Sequence, residues 1–427
     1  MYGIIKTVII LSELIVHGGF PISGTVSISG SKNAALPIMA AAIAVSGKTR
    51  LKNIPHLSDV EEMTSLLRCF GCEVKFEKNQ LDICSDNINN LISPYELVTK
   101  FRASFLVSGA LLSRFGYVRI SLPGGCRIGT RPVDLHIKGL CAMGAKSETG
   151  HGYMEFMADK LKGAKIYLDF PSVGATENLM TAACLADGIT EIENAATEPE
   201  VTDLANFLIK CGAKINGVGT EHITICGVDE LKECEYSVIP DRIEAGTYMI
   251  AAACTGGAVT VKGALSEHLN PIMAKMRDMG VKVNDDNGVI RVESGGIIMP
   301  TDIKTLPHPG FPTDMQSVFS ALMCYADGTS MITETIFENR FMHMAELMRM
   351  HATIKIDGRS AVIEGHGKLD GARVEATDLR AGAALAIAGM AAVGTTEIGS
   401  AELIYRGYEN FDEKLRKLGA QIERRQA

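Results

Sequence analysis

The chain has 427 residues, 46% hydrophobic and 22% charged. That is more chain than one hydrophobic core usually serves and more apolar surface than a disordered protein carries, so a globular protein of two domains is expected. The net charge of −8 argues against a general nucleic-acid binder, but it leaves room for an anionic small substrate held by a local cluster of Arg and Lys.

In chain order, the run 4–11 is apolar but shorter than the roughly 20 residues of a bilayer span. It lacks the basic start and small-residue cleavage site of a signal peptide, so it is expected to be a strand or a non-native leader. No other run reads as a membrane span. The 11 cysteines are odd in number and scattered, as in a reduced cytosolic chain. Cys69-Phe70-Gly71-Cys72 is a lone CxxC without the second pair or the His ligands of a zinc site.

A short phrase then recurs: a helix end, Gly, a small residue and a strand. Its glycines are Gly71, Gly144, Gly212, Gly280 and Gly419, and His351 holds the equivalent place in a sixth copy, with steps of 68 to 73 residues. Before each phrase runs an amphipathic helix, such as Val201 to Lys210 or Asn410 to Leu418, and Gly at C′ permits its left-handed cap. Earlier in several units comes a helix rich in small residues: Ala34 to Val45, Thr176 to Ala186, Ala245 to Cys254, Ala381 to Ala392. Such helices are expected to be buried on several faces. Cys72 sits where other copies carry Ala or Val, so it reads as a small core residue. Six βαβ-type units would split into two similar lobes near Ile239-Pro240, residues 33–239 forming the first and 1–32 plus 240–427 the second, with a ligand cleft between them.

Six segments break this pattern. In Ile28 to Pro37 a Gly-Ser turn leads into a helix, with Lys32 and Asn33 at the boundary; helix N-termini suit anions, although the phosphate-loop spacing is absent. Leu122 to His136 is a glycine-rich loop that carries Cys126, with Arg127 and Arg131 favouring its thiolate. A buried Cys and a Cys–His hydrolase using His136 are the alternatives there. In Pro307 to Gln316, rigid prolines precede Asp314, which is either a placed carboxylate or a helix N-cap. Glu334 to Phe341, Ala376 to Arg380 and Ile404 to Tyr408 each set one Arg at a strand-to-helix junction. Arg131, Arg340, Arg380 and Arg406 together suggest convergence on an anion.

These segments resemble the UDP-N-acetylglucosamine enolpyruvyl transferases, the 1-carboxyvinyltransferase family. The matching phrases are Gly30 to Pro37, Leu122 to His136, Ser172 to Thr176, Glu193 to Ala196, Pro240 to Glu244, Phe311 to Gln316, Phe337 to Phe341 and Ala376 to Arg380, in family order from about Leu14 onward. The resemblance implies an α/β fold, an inside-out α/β barrel of two lobes with six βαβ-type repeats in total. It also implies transfer of the enolpyruvyl group of phosphoenolpyruvate to the 3′-hydroxyl of UDP-N-acetylglucosamine with release of phosphate, a cytoplasmic first committed step of peptidoglycan synthesis. On this resemblance Cys126 is the acid facing the enol carbon and the site of a covalent adduct, including one with fosfomycin. Asp314 is the base near the sugar hydroxyl. Lys32, Arg131 and Arg406 hold phosphate and Arg380 the carboxylate. Asn33, Arg102, Arg131, Pro132, Val133, Asp134, Leu135, Ser172, Val173, Gly174 and Ile336 match nucleotide-sugar positions, and Arg340 and Asp378 are supporting residues. No metal, cofactor, nucleic acid or membrane is implied. Leu106 stands where a bacterial relative has Trp, and Phe170 where it has Lys. The rival readings are a 5-enolpyruvylshikimate-3-phosphate synthase, against which Cys126 and the Arg131 to His136 phrase speak, and a silent paralogue that binds the nucleotide sugar and regulates a partner.

Overall fold

The structure, a computed structural model, describes residues 12–99, 101–122, 129, 133–286 and 288–426. They fall into two compact units. One is Ser29–Asp241 with Pro307–Gly310; the other is Arg242–Leu306, Phe311 onward and the described residues before Ser29. Each has its own core. Among the described residues, no helix is long and apolar enough to cross a membrane.

The repeat is a βαβαββ module built around one small sheet. In the clearest copy Lys165–Tyr167 pairs parallel with Ile189–Glu193, His222–Cys226 pairs antiparallel with that strand, and Lys214–Asn216 closes the far edge. Thr190 and Ile192 point into the core while their neighbours do not, as the pleat requires. The same order recurs with Lys48–Lys52, Ala258–Lys262, Asp327–Thr333 and Thr395–Gly399 in the second place. In the sixth module, built on Tyr117–Ser121, a single Ile92–Arg119 bridge stands in for the parallel edge strand. Three sheets borrow strands from far along the chain: Glu235–Ser237 completes the sheet of Lys48–Lys52, Ser23–Ser27 pairs parallel with Ala258–Lys262, and Ser12–His17 lies between Thr395–Gly399 and Gln421–Gln426.

Inside the sheets lie the helices rich in small residues. Lys32–Ala41, Val107–Phe115 and Val173–Ala183 pack together in one unit, and Arg242–Thr255, Gln316–Cys324 and Leu379–Ala391 in the other. All of Gln316–Cys324 is buried, as are Ile243 to Cys254, so these helices meet protein on every face. Ala, Gly, Ser and Thr make that possible, because small side chains let helix axes approach closely. The first of them starts at Lys32, two residues earlier than expected, and tightens into a 3-10 turn at Ala42–Ala44.

The amphipathic helices lie outside and end alike. After Ser58–Phe70, the Gly71 and Cys72 amides return to the Arg68 and Leu67 carbonyls. Gly144/Ala145, Gly212/Ala213, Gly280/Val281, His351/Ala352 and Gly419/Ala420 repeat this pair of bonds, the Schellman cap. The five glycines have φ between 85° and 106°, and His351 shares the left-handed region at 68°. Cys72 is 4% exposed and burial pushes its thiol up to about 12, whereas Cys69 faces outward, so the CxxC is one core residue and one surface residue.

A left-handed non-glycine residue costs about 1–2 kcal/mol, and the exposed His351–Asp370 contact at 2.6 Å recovers only part of that. His351→Gly is therefore expected to stabilise the chain by about 0.5–1 kcal/mol, read as a higher denaturant midpoint. A lower midpoint would show that the Asp370 contact outweighs the backbone strain.

Candidate active site

Expected site residues in the Arg242–Leu306 and Phe311-onward unit gather at the N-terminal ends of its inner helices. Asp314 lies in a 3-10 turn, Thr313–Met315, just before the Gln316–Cys324 helix. It is not an N-cap: that helix starts from Met315 with no side-chain cap. Instead its carboxylate bridges two guanidinium groups, with Arg340 Nη2 donating to Oδ1 at 2.8 Å and Arg380 Nη2 to Oδ2 at 3.2 Å. Both arginine side chains are almost wholly buried, while that of Asp314 is 27% exposed. These arginines are thus not the surface ion pairs that a lone Arg at a junction suggests. Each also lies over an aromatic ring, Arg340 on Phe337 and Arg380 on Tyr408.

Three further features set this cluster. Asp378 is a true N-cap, its Oδ1 accepting from the Arg380 and Ala381 amides at 2.8 and 3.0 Å, which fixes where Arg380 begins. The Arg406-Gly407-Tyr408 segment lies against it, because a Cβ at 407 would meet Leu379 Cδ1 at 2.3 Å and Arg380 Nη1 at 3.5 Å. Glu334, 1% exposed, accepts four hydrogen bonds: from the Thr305 and Thr313 hydroxyls at 2.9 Å each, and from the Ile336 and Phe337 amides at 2.8 and 3.1 Å. Thr313 in turn accepts from Arg340 Nη1 at 3.2 Å. Glu334 therefore shapes the Ile336 loop and, through Thr313, orients Arg340.

In the Ser29–Asp241 unit, Ser31 caps the first inner helix, and Lys32 follows at 8% exposure. The Lys32 ammonium lies 3.3 Å from Asp59 Oδ2, and its backbone amide donates to Asp241 Oδ2 at 3.3 Å. Gly30 is obligatory here: a Cβ would lie 1.7 Å from the Asn53 carbonyl oxygen. Ser172 caps the Val173–Ala183 helix through the Ala175 amide. The start of that helix is tied to the 133–136 phrase by His136, whose ring lies within 3.6 Å of where a Cβ on Gly174 would be. Asn178 Nδ2 donates to Ser108 Oγ at 3.0 Å and contacts His136 Nδ1 at 3.1 Å, while its Oδ1 accepts from the Gly109 amide at 2.8 Å. Leu106, 8% exposed, packs beside Gly174, and Phe170 is 43% exposed.

Burial, and secondarily the charge of Arg102, pushes His136 down to about 3. A base that weak removes the support for a Cys–His hydrolase. Arg102 lies in the 3-10 turn Arg102–Leu106; Asn33 sits on the first inner helix; Val133 precedes and Asp134 and Leu135 open the Asp134–Ala142 helix. Cys126, Arg131 and Pro132 lie outside the described residues. Asp59, Asn178, Thr313 and Glu334 were not singled out from the sequence. Thr313 and Glu334 lie in segments that break the repeat, Pro307 to Gln316 and Glu334 to Phe341, whereas Asp59 and Asn178 carry no such signal. Among the described residues, no three His, Cys, Asp or Glu side chains form a metal-binding group.

The EPSP synthase (3-phosphoshikimate 1-carboxyvinyltransferase) family model matches residues 16–415. UDP-N-acetylglucosamine 1-carboxyvinyltransferase 2 of Carboxydothermus hydrogenoformans is 55% identical over 416 residues, 97% of this chain and 99% of that protein. UDP-N-acetylglucosamine 1-carboxyvinyltransferase 1 of Caldanaerobacter subterraneus subsp. tengcongensis is 54% identical over 414 residues, 97% and 100% of the two chains. Among solved structures, the enolpyruvyl transferase NikO from Streptomyces tendae has a TM-score of 0.88 at 25% identity, covering 98% of this chain and 100% of that one. EPSP synthase from Acinetobacter baumannii shares the fold, with a TM-score of 0.78 at 19% identity over 97% of this chain and 100% of its own. The chain thus belongs to the carboxyvinyltransferase family and has its α/β enolpyruvyl transferase fold. Its near-full-length relatives are the UDP-N-acetylglucosamine 1-carboxyvinyltransferases, the group in which its sequence falls.

Glu334→Ala would leave two amides and two hydroxyls without their acceptor, each worth about 1–3 kcal/mol when buried. A loss of at least about 2 kcal/mol of stability is expected, measured by denaturant titration. Acid should also act through the two buried histidines. Burial lowers His136 from 6.5 to about 3 and His343 to about 4, with the charge of Asp378 and a backbone hydrogen bond at Arg340 opposing the second shift and the charge of Arg340 aiding it. The unfolded chain then takes up these protons first, so stability is held above pH 6.5 and lost as pH falls towards 4 and 3. Denaturant midpoints of His136→Gln should fall less steeply between pH 6.5 and 4 than those of the parent. Equal slopes would refute the assignment.

Proposed function

We propose that the chain transfers the enolpyruvyl group of phosphoenolpyruvate to the 3′-hydroxyl of UDP-N-acetylglucosamine and releases phosphate. The supporting observation is the 54–55% identity over 97% of the chain to proteins named for that activity, with Lys32, Cys126, Arg131, Asp314, Arg380 and Arg406 all present.

In this reading the reaction is an addition followed by an elimination. Cys126 delivers a proton to C3 of the enol, which makes C2 electrophilic. Asp314 takes the proton of the sugar hydroxyl as its oxygen bonds to C2. Loss of a proton from C3 and cleavage of the C2–O bond to phosphate then restore the double bond. Lys32, Arg131 and Arg406 bind the phosphate, and Arg380 the carboxylate. Each charge-assisted hydrogen bond contributes about 1.5–3 kcal/mol. Arg340 supports Asp314, and Asp378 fixes Arg380. Asn33, Arg102, Pro132, Val133, Asp134, Leu135, Ser172, Val173, Gly174 and Ile336 bind the nucleotide sugar.

Proton transfers and fixed cations suffice for these steps, so the reading calls for no metal or cofactor. Arg127 and Arg131 favour a thiolate on Cys126, whereas an acid must begin protonated; the dianionic substrate resolves this by neutralising them. The cellular role that follows is the first committed step of peptidoglycan synthesis in the cytoplasm, with fosfomycin alkylating Cys126.

Phosphate release should require phosphoenolpyruvate and UDP-N-acetylglucosamine, and Asp314→Asn should slow it by about 10²–10⁴ while leaving sugar-nucleotide binding in place. Turnover with shikimate 3-phosphate and none with the UDP-sugar would sink the proposal, as would tight binding without release at any pH.

A further inference from the structure

Outside the proposed chemistry, two thiols meet in the Ser29–Asp241 unit. Cys211 Sγ and Cys234 Sγ are 3.2 Å apart, across 23 positions of sequence. Cys211 ends the Pro199–Lys210 helix, its amide bonded to the Phe207 carbonyl at 3.0 Å. Cys234 lies in the link between the Leu231–Lys232 and Glu235–Ser237 strands. Both backbones are pinned: the Lys232 amide donates to the Cys211 carbonyl at 2.8 Å, and the Arg50 amide to the Cys234 carbonyl at 2.9 Å. The sulfur atoms therefore face each other through the fold itself. A disulfide needs the 3.2 Å between the sulfur atoms to shorten to roughly 2.0 Å. Cys69 and Cys72, close in sequence, diverge instead between surface and core.

We propose that Cys211 and Cys234 form a reversible disulfide under peroxide, a modification site separate from Cys126. Cys234 is partly exposed and Cys211 is 1% exposed, so Cys234 is the thiol an oxidant reaches. The charges agree. The hydrogen bond between the two thiols and the nearby Lys210 ammonium draw Cys234 down, while that same bond and burial push Cys211 up. Cys234 attacks one oxygen of hydrogen peroxide; the O–O bond breaks, one water leaves with the Cys234 proton, and Cys234 becomes a sulfenic acid. The Cys211 sulfur then attacks the Cys234 sulfur. An S–S bond forms, the S–O bond breaks, and the hydroxyl leaves with the Cys211 proton as a second water. The sulfur pair loses two electrons and the peroxide gains them. A thiol such as dithiothreitol reverses the step by exchange. Formation of the bond ties the end of the Pro199–Lys210 helix to the strand that completes the sheet of Lys48–Lys52.

The test uses the reduced full-length chain, treated with near-stoichiometric hydrogen peroxide, alkylated, digested without reductant and mapped by mass spectrometry. A Cys211–Cys234 cross-linked peptide, lighter by two hydrogen atoms and lost on adding dithiothreitol, is expected while exposed Cys69 remains alkylated. Over-oxidation of Cys234 to sulfinic acid with Cys211 still alkylated would overturn the proposal, and so would oxidation of Cys69 with both partners left as thiols. Cys211→Ser should leave Cys234 open to capture by glutathione after the same peroxide treatment. An unmodified Cys234 in that variant would refute its role as the attacking thiol.

Discussion

A guanidinium that is 1% exposed must be answered by an anion, and for Arg380 that anion is Asp314. Much of its unit follows from that requirement. The Asp378 cap decides where the Arg380 backbone starts, Tyr408 provides a ring face, and Arg340 shares the same carboxylate. Glu334 then closes the chain of contacts through Thr313. Removing one member would leave the others buried with incomplete partners, which is a stronger constraint than any one of these bonds supplies by its own strength.

Inner helices of small residues make this arrangement affordable in space. Close packing of three such helices brings the Thr313–Met315 turn and the start of Leu379–Ala391 near enough for one carboxylate to reach a guanidinium on each side. In the Ser29–Asp241 unit the same geometry works with neutral groups. There Asn178 and His136 link helix starts, and burial keeps the imidazole uncharged so that it can accept from an amide.

How much of this was legible follows from the range over which each signal acts. The six caps could be read because a left-handed residue after a helix is a local demand that Gly meets, and His351 could be placed by spacing although its side chain opposes the backbone. Four of the inner helices could be read from their small residues, whereas Val107–Phe115 and Gln316–Cys324 carry one Ala each and look like ordinary apolar segments. Asp314 was visible as a carboxylate after rigid prolines, but whether it capped a helix or met a cation depended on Arg340 and Arg380, 26 and 66 positions away. Asp59 is an acid in the first turn of Ser58–Phe70, and only the fold sets it opposite Lys32, 27 positions earlier. Pairings across such distances are not written in local patterns. Nor could the sequence say that Glu235–Ser237 closes the first sheet, because near-identical modules offer several equivalent edges.

The placement of Ser12–His17 bears on the order in which the chain can assemble. That strand is the interior member of a sheet whose other partners, Thr395–Gly399 and Gln421–Gln426, are made last. During synthesis the stretch Ser29–Asp241 has nearly all of its own strands to hand and can close early, while Ser12–His17 waits, both backbone edges unmet, for Thr395–Gly399 and Gln421–Gln426 to emerge. The half that holds Asp314 is in this sense a circle cut inside one module, and its two cut ends are sealed only when the last strand arrives.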